Sequence, residues 1–165
     1  MSYHRAPERP SERSSYGYLR EGYAAYRSRP MRVLVLTSEP ISAAKLSSAL
    51  PGDLDPKDVE LLVVTPALQP SALRFWLSDA DDAIARAQRT ERATVERLGA
   101  EGVEVDSETG ESDPEQAIQD ALQTFPADEI LVFTHSEDEQ RYREDVDVAV
   151  LERRFGVPVK QATID

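Results

Sequence analysis

The sequence contains no cysteine and only two histidines among its 165 residues, which limits the chemistry open to the chain. Without cysteine, disulfides, thiolate metal sites and cysteine nucleophiles are excluded. The two histidines, His4 and His135, lie far apart in the sequence. A zinc site usually takes several Cys or His ligands, so we expect no metal site.

Long apolar runs are missing as well. No apolar run approaches the roughly 18 residues that a membrane-spanning helix needs. The first thirty residues also contain no apolar segment of the kind that secretory signals carry. These two absences predict a cytoplasmic protein that does not bind membranes.

The net charge of −12 is unevenly distributed along the chain. Residues 1–30 carry six arginines and three acids, for a net charge of +3, whereas residues 31–165 carry 13 basic and 28 acidic residues, for −15. Such an acidic domain is expected to repel nucleic acids and anionic membranes.

Residues 1–30 have the composition of a disordered arm that precedes the folded domain. They contain prolines, serines and five of the six tyrosines, and they lack a periodic apolar pattern. A short helix over residues 19–27 is an alternative. The arm has three possible roles: it can stack on single-stranded nucleic acid, fold back on the acidic domain, or pair with a neighbouring subunit. Its small charge makes nucleic-acid binding weak, so nucleic acid is not an expected partner.

Predicted strands and helices alternate from residue 31 to the end of the chain. The predicted strands cover residues 31–36, 59–65, 103–106, 130–134 and 157–164. The predicted helices cover residues 43–50, 78 to about 99–102, 114–125 and 146–155. Right-handed crossovers then give an α/β three-layer sandwich, in which a five-stranded, doubly wound parallel sheet has the order 3-2-1-4-5. Residues 31–165 therefore form one domain, with a topological switch point between the first and fourth strands.

The long second helix has a face of small and apolar residues. Ser78 is its expected N-cap, and the face consists of Ala80, Ala83, Ile84, Ala87, Val95 and Leu98. The preceding apolar segment, residues 73–77, either extends this helix or forms a separate turn. Phe75 and Trp76 in that segment are expected to pack in the core, and lining a pocket or meeting a partner are the alternatives.

Four segments resemble universal stress proteins, in the order in which that family carries them. TSEPIS at residues 37–42 resembles the family's DGSExS turn, and GESDPEQAI at 110–118 resembles its GDPxxxI helix start. ADEILVFTHS at 127–136 resembles the strand ADLIVVGSHG, and FGVPV at 155–159 resembles the start of the last strand. The resemblance implies an adenine-nucleotide alpha-hydrolase-like fold and a stress-response or regulatory binding module.

Two departures from the family pattern imply that this chain does not bind ATP. Where ATP-binding members carry an aspartate at the end of the first strand, this chain has Leu36. Where they carry a glycine-rich phosphate loop, it has no glycine between Gly110 and Gly156, and residues 137–139 are acidic. We therefore expect no nucleotide cofactor and no enzymatic activity. A nucleotide-binding protein or nucleotide-utilising enzyme with an altered phosphate loop, and an adaptor that binds a partner through its basic arm, are the alternatives.

Short polar residues at the carboxyl ends of the predicted strands form the candidate ligand-binding site. Ligands of doubly wound sheets bind at these ends, beside the switch point. No base–nucleophile pair accompanies them, so no catalytic residue is assigned. The candidates are Thr37, Ser38, Glu39, Thr65, Pro66, Gly110, Thr134, His135 and Ser136.

Two features beside this site have competing interpretations. His135 is either a ligand contact and pH-sensitive group or a loop residue that the family pattern accounts for. The acidic segment 137–147 is interpreted as a solvated charge run rather than as a cation site.

The last predicted strand is a sheet edge, and the resemblance implies that it pairs across a homodimer. Val157, Val159 and Ala162 are compatible with such pairing, whereas Lys160 can instead protect the edge from association. A homodimer is the expected assembly.

Overall fold

A computed structural model describes residues 29–68, 80–136 and 146–164. Several sequence predictions fall outside these ranges. They concern residues 1–28 with the alternative helix 19–27, the segment 73–77, the Ser78 cap and most of the acidic segment 137–147.

Five parallel strands form a single sheet in the order β3-β2-β1-β4-β5. The apolar runs in the sequence become the three central strands, because a strand covered on both faces must be apolar throughout. The strands are β1 (Met31–Thr37), β2 (Val59–Pro66), β3 (Asp106–Gly110), β4 (Glu129–Thr134) and β5 (Val159–Thr163). The predicted fold class and strand order are confirmed.

Among the described residues, four α-helices connect the strands, and polar residues precede three of them. The helices are α1 (Ala43–Ala49), α2 (Ala80–Ala100), α3 (Pro114–Thr124) and α4 (Val148–Phe155). Ser42, Asp113 and Asp147 each accept a hydrogen bond from a backbone amide of the first turn of α1, α3 and α4, respectively. A 3₁₀ turn, Pro56–Asp58, leads into β2. No helix of the described residues is both long and apolar enough to cross a bilayer.

The core consists of two apolar layers, one on each face of the sheet. Val33 and Val35 of β1 pack in the layer that contains Leu46 of α1 and Leu98 of α2. The alternate residues of β1 pack with α3 and α4 on the opposite face. The predicted three-layer arrangement follows from this alternation, since successive side chains of a strand point to opposite faces.

The third strand was predicted in the wrong place. The sequence pattern favours residues 103–106, but the strand that pairs with β2 is polar and begins at Asp106. Val103 is buried and Val105 partly buried against the α1–α2 core layer, so both contribute to the core without pairing in the sheet. As an edge strand, β3 is partly solvated, which allows its polar sequence.

The predicted apolar face of α2 is also partly wrong. Ala83, Ala87 and Leu98 are buried, but Ile84 is 41% exposed. The face contains Thr94 instead, which is fully buried and donates a hydrogen bond to the Thr90 carbonyl over 2.9 Å. A hydroxyl that bonds within its own helix can be buried at little cost, and apolar periodicity does not detect it.

Candidate functional site

The carboxyl ends of β1 and β4 lie side by side at the predicted switch point. Thr37 of β1 is in register with Phe133 of β4, and Thr134 follows directly. Thr37, Ser38 and Thr134 are all buried. The Thr37 hydroxyl donates to the Glu39 carbonyl over 2.7 Å and fixes the turn after β1. Five candidate residues, Thr37, Ser38, Glu39, Thr134 and His135, are thus brought together.

Glu39 and His135 face each other across this mouth. The His135 Nε2 atom lies 3.6 Å from a Glu39 carboxylate oxygen. The His135 side chain is 14% exposed and the Glu39 side chain is 33% exposed. When His135 is protonated, the contact is an ion pair at the protein surface. Ser136 follows His135 and is half-buried.

Thr65 lies one strand further along the sheet. Leu36 is in register with Val64, so Thr65 lies beside Thr37 on the face that α2 covers. Its hydroxyl is buried and has no hydrogen-bond partner among the described residues. Thr109 of β3 is in register with Thr65, so three threonines occupy neighbouring strands on this face.

Glu91 of α2 contacts the outer end of this threonine row, and no sequence motif indicated it. Its two carboxylate oxygens accept hydrogen bonds from Ser107 over 2.8 Å and from Thr109 over 2.6 Å. Ser107 and Thr109 follow Glu91 by 16 and 18 positions in the sequence, respectively. Only the placement of α2 over the edge strand brings them together.

Gly110 is positioned by packing. It ends β3 in register with Pro66. A Cβ atom at Gly110 would lie 2.7 Å from the Ala117 Cβ and 3.0 Å from the Val64 Cγ1. Glycine is therefore required because α3 approaches the sheet closely here. Gly110 and Pro66 contribute backbone, rather than functional groups, to the candidate site.

A small cavity lies between the ends of β1, β2 and β4. Its volume is about 10 Å³, which is room for about one water molecule. Leu36, 3% exposed, forms one wall and belongs to the core layer under α3 and α4. The described residues around it are Leu36, Thr37, Ser38, Pro66, Leu68, Val132, Phe133 and Thr134.

Two carboxyl groups with perturbed pKa values lie elsewhere. Burial raises the pKa of Glu108 in β3, and the neighbouring carboxylates of Asp120 and Glu91 raise it further. Burial also raises the pKa of Glu129 at the start of β4, while Lys160 opposes the shift. Among the described residues, no group of three His, Asp or Glu side chains is placed to hold a metal ion.

Two solved structures share this architecture over most of the chain. One is a universal stress protein family protein from Arabidopsis thaliana with AMP bound, at a TM-score of 0.53 and 14% identity, covering 82% of this chain and 93% of that one. The other is a universal stress protein from Archaeoglobus fulgidus, at a TM-score of 0.51 and 18% identity, covering 79% of this chain and 97% of that one. No protein-family model matches the chain, and no curated protein matches its sequence.

These likenesses establish the fold. The chain has the α/β fold of universal stress proteins, as the sequence motifs implied. At such low identity, side chains at the binding site are not transferable from one protein to another, because one fold hosts many different sites. The chemistry of the site therefore has to be inferred from the residues of this chain.

Proposed function

We propose that this chain is a regulatory binding module of the universal-stress-protein type, which binds a small polar ligand at the mouth formed by β1 and β4 and does not bind ATP. The ligand would contact the Thr37–Ser38 turn, Glu39 and His135. The domain proposed for this role spans residues 31–165, and residues 1–30 form an appended arm.

The burial of Leu36 is the observation that carries the proposal. The family resemblance implies an aspartate at this position in ATP-binding members. Here the side chain is apolar, 3% exposed and packed with Val132 in the core layer under α3 and α4. A leucine cannot accept hydrogen bonds from a nucleoside, so a main polar contact to the adenosine is missing.

The polar groups at the mouth favour a small ligand. Thr37 and Thr134 are buried, and Glu39 and His135 form a contact that a ligand can replace. This set combines hydroxyl groups, a carboxylate and an imidazole, so it offers both hydrogen-bond donors and acceptors to a ligand.

AMP binding by the same mouth is the second candidate function. The Arabidopsis thaliana protein with the same fold holds AMP. AMP carries one phosphate, so it depends less on a phosphate-binding loop than ATP does. The test below includes AMP for this reason.

Calorimetric titration of the purified protein with Mg-ATP, AMP and adenosine tests the proposal. The Arabidopsis thaliana protein serves as the positive control for AMP. We expect no saturable heat with ATP, and native mass spectrometry should find no adenine nucleotide retained by the protein. Saturable ATP binding would refute the proposal, whereas binding of AMP alone would support the second candidate.

We further propose that the module forms a homodimer through β5. In the parallel ladder, Ile130 donates to the Pro158 carbonyl and Ile164 donates to the Thr134 carbonyl, so the even-numbered residues of β5 face β4. The odd-numbered residues then direct their backbone groups outward. Glu152 already accepts from the outward Val159 amide over 2.9 Å, which leaves Gln161 and Thr163 for pairing.

The contact made by Lys160 supports an edge that is open to pairing. Its ammonium donates to the Ala49 carbonyl at the end of α1 over 2.9 Å, so the side chain lies over the sheet face. Replacing Thr163 with proline removes an outward amide and leaves the ladder to β4 intact. Light scattering should report a dimer for the native chain and a monomer for Thr163→Pro with nearly unchanged thermal stability. A native monomer would refute this part of the proposal.

A further inference from the structure

A second and much larger cavity lies at the opposite end of the sheet from the candidate ligand site. It has a volume of about 860 Å³ and is an open groove between the start of β2, the end of α2 and residues 103–106. We call it the β2 groove. The half-buried Val95 and Val105 give it an apolar floor, beneath which Val59 and Leu61 are buried in the core.

The β2 groove exists because β3 begins late. Pairing between β2 and β3 starts at Leu62 and Asp106, so the first three residues of β2, 59–61, have only β1 as a strand partner among the described residues. Residues 103–105 diverge from the sheet at this point. An edge with one side unpaired can accept an additional extended segment.

The rim of the β2 groove is acidic. Of the described residues that line it, Asp58, Glu60, Glu104 and Asp106 are acidic and Lys57 is basic. Glu60 also forms an ion pair with Arg32 over 3.2 Å. The rim therefore retains an excess of negative charge, which favours a basic partner.

The amino-terminal arm enters the described structure at this groove. Pro30, the residue before β1, is itself part of the groove lining. Arg29 forms two hydrogen bonds to the Asp128 carboxylate, each 3.1 Å long, and Asp128 also accepts from the Arg32 amide over 2.9 Å. These contacts fix the point from which the preceding residues leave the domain. Residues 1–28 are basic and contain five tyrosines.

We propose that the arm of this chain docks in its own β2 groove, with Tyr23, Tyr26 and Arg27 as the main contacts. The tyrosine rings cover the apolar floor, and the Arg27 guanidinium pairs with the acidic rim at Glu104. Arg27 is only three residues from Pro30. This short tether costs little entropy and gives the arm a high effective concentration at the β2 groove. This docking is independent of ligand binding at the β1–β4 mouth.

Paramagnetic broadening in the full-length protein tests the proposal. The chain lacks cysteine, so a nitroxide on Ser15→Cys labels the arm at a single site. Amides of Val59, Val103 and Glu104 should lose about half or more of their intensity, because a short tether populates even a weak docked state. The matched control is the same labelled protein with Tyr23→Ala, Tyr26→Ala and Arg27→Glu, in which these amides should recover.

A charge exchange tests the contact itself. Glu104 is exposed, so Glu104→Arg should preserve the fold, as the amide spectrum reports. This substitution should abolish the broadening, and adding Arg27→Glu should restore it. Equal broadening in the native and triple-variant arms would refute the proposal, as would broadening at Ser38 and His135 instead. Broadening seen only when labelled protein is mixed with isotope-labelled, nitroxide-free protein would refute docking within one chain.

Discussion

At the scale of single residues, Gly110 lies where α3 approaches the sheet closely. Its neighbours on β2 and α3 leave no space for a methyl group. Both neighbours belong to rigid elements in the core. The close packing of α3 on the sheet therefore depends on the absence of a Cβ atom at residue 110.

Gly110→Ala should lower the free energy of unfolding by about 1–3 kcal/mol, the usual range for overpacking a well-packed site. Gly99→Ala is a matched control, because nothing lies within 4 Å of a Cβ atom at that helical position. The control should raise stability by up to about 1 kcal/mol through helix propensity. Urea denaturation measures both, and equal effects of the two substitutions would contradict the packing explanation.

The unpaired hydroxyl of Thr65 leads to a second prediction. Its Oγ1 atom is buried without a partner among the described residues, so Thr65→Val removes a desolvated polar group. In the ligand-free protein this should be neutral or stabilise the fold by up to about 1 kcal/mol. Thr94→Val, which loses the bond to the Thr90 carbonyl, should cost about 1 kcal/mol. Equal losses in thermal denaturation would mean that the Thr65 hydroxyl is hydrogen-bonded.

At the scale of elements, the three central strands and β5 were predictable, and the edge strand β3 was not. β1, β2 and β4 are apolar on both faces, so the sequence pattern locates them to within a residue or so. β3 has one strand partner and partial solvent exposure, and its position is set by the register with Leu62–Pro66. The apolar residues Val103 and Val105 were misleading because they pack in the core without pairing.

One part of the geometry at the β1–β4 mouth was also predictable. The convergence of Thr37, Glu39 and His135 follows from the strand order, because carboxyl ends of parallel strands meet at one edge of the sheet. The Glu91 contacts and the β2 groove were not predictable. Both depend on where α2 and β3 lie relative to each other, and no local pattern encodes that.

The polar edge strand gives a pH-dependent prediction. The folded state raises the pKa of Glu108 through burial and through Asp120 and Glu91. An ionised Glu108 therefore destabilises the fold above this raised pKa, and the cost disappears as the pH falls below the ordinary value of 4.5. Glu108→Gln should be more stable than the native chain at pH 7, and the difference should vanish below pH 4.5.

Glu96→Gln is the control for this prediction, since it makes the same charge change at an exposed position of α2. Urea denaturation at pH 7 and pH 4 compares both variants with the native chain. A stabilisation of equal size in both variants would point to the overall charge rather than to the surroundings of Glu108.

At the scale of the whole molecule, the charge of −12 dominates the electrostatics. Self-repulsion destabilises a compact, highly charged protein. Screening shortens from about 30 Å at 0.01 M salt to about 3 Å at 1 M, so added NaCl should raise the thermal midpoint at pH 7. Near the isoelectric point, about pH 4.6, the same salt increase should have little effect. A midpoint that falls with salt at pH 7 would show that local ion pairs outweigh the repulsion.

The position of β1 in the middle of the sheet has a consequence for how the protein is made. During synthesis on the ribosome, β1 and β2 emerge early, but β4 completes the other side of β1 only much later. The hydrogen bond from the Arg32 amide of β1 to Asp128, the residue before β4, spans 96 residues. Until β4 emerges, one backbone edge of the apolar first strand stays unpaired, so chaperones would have their main opportunity to bind before translation ends.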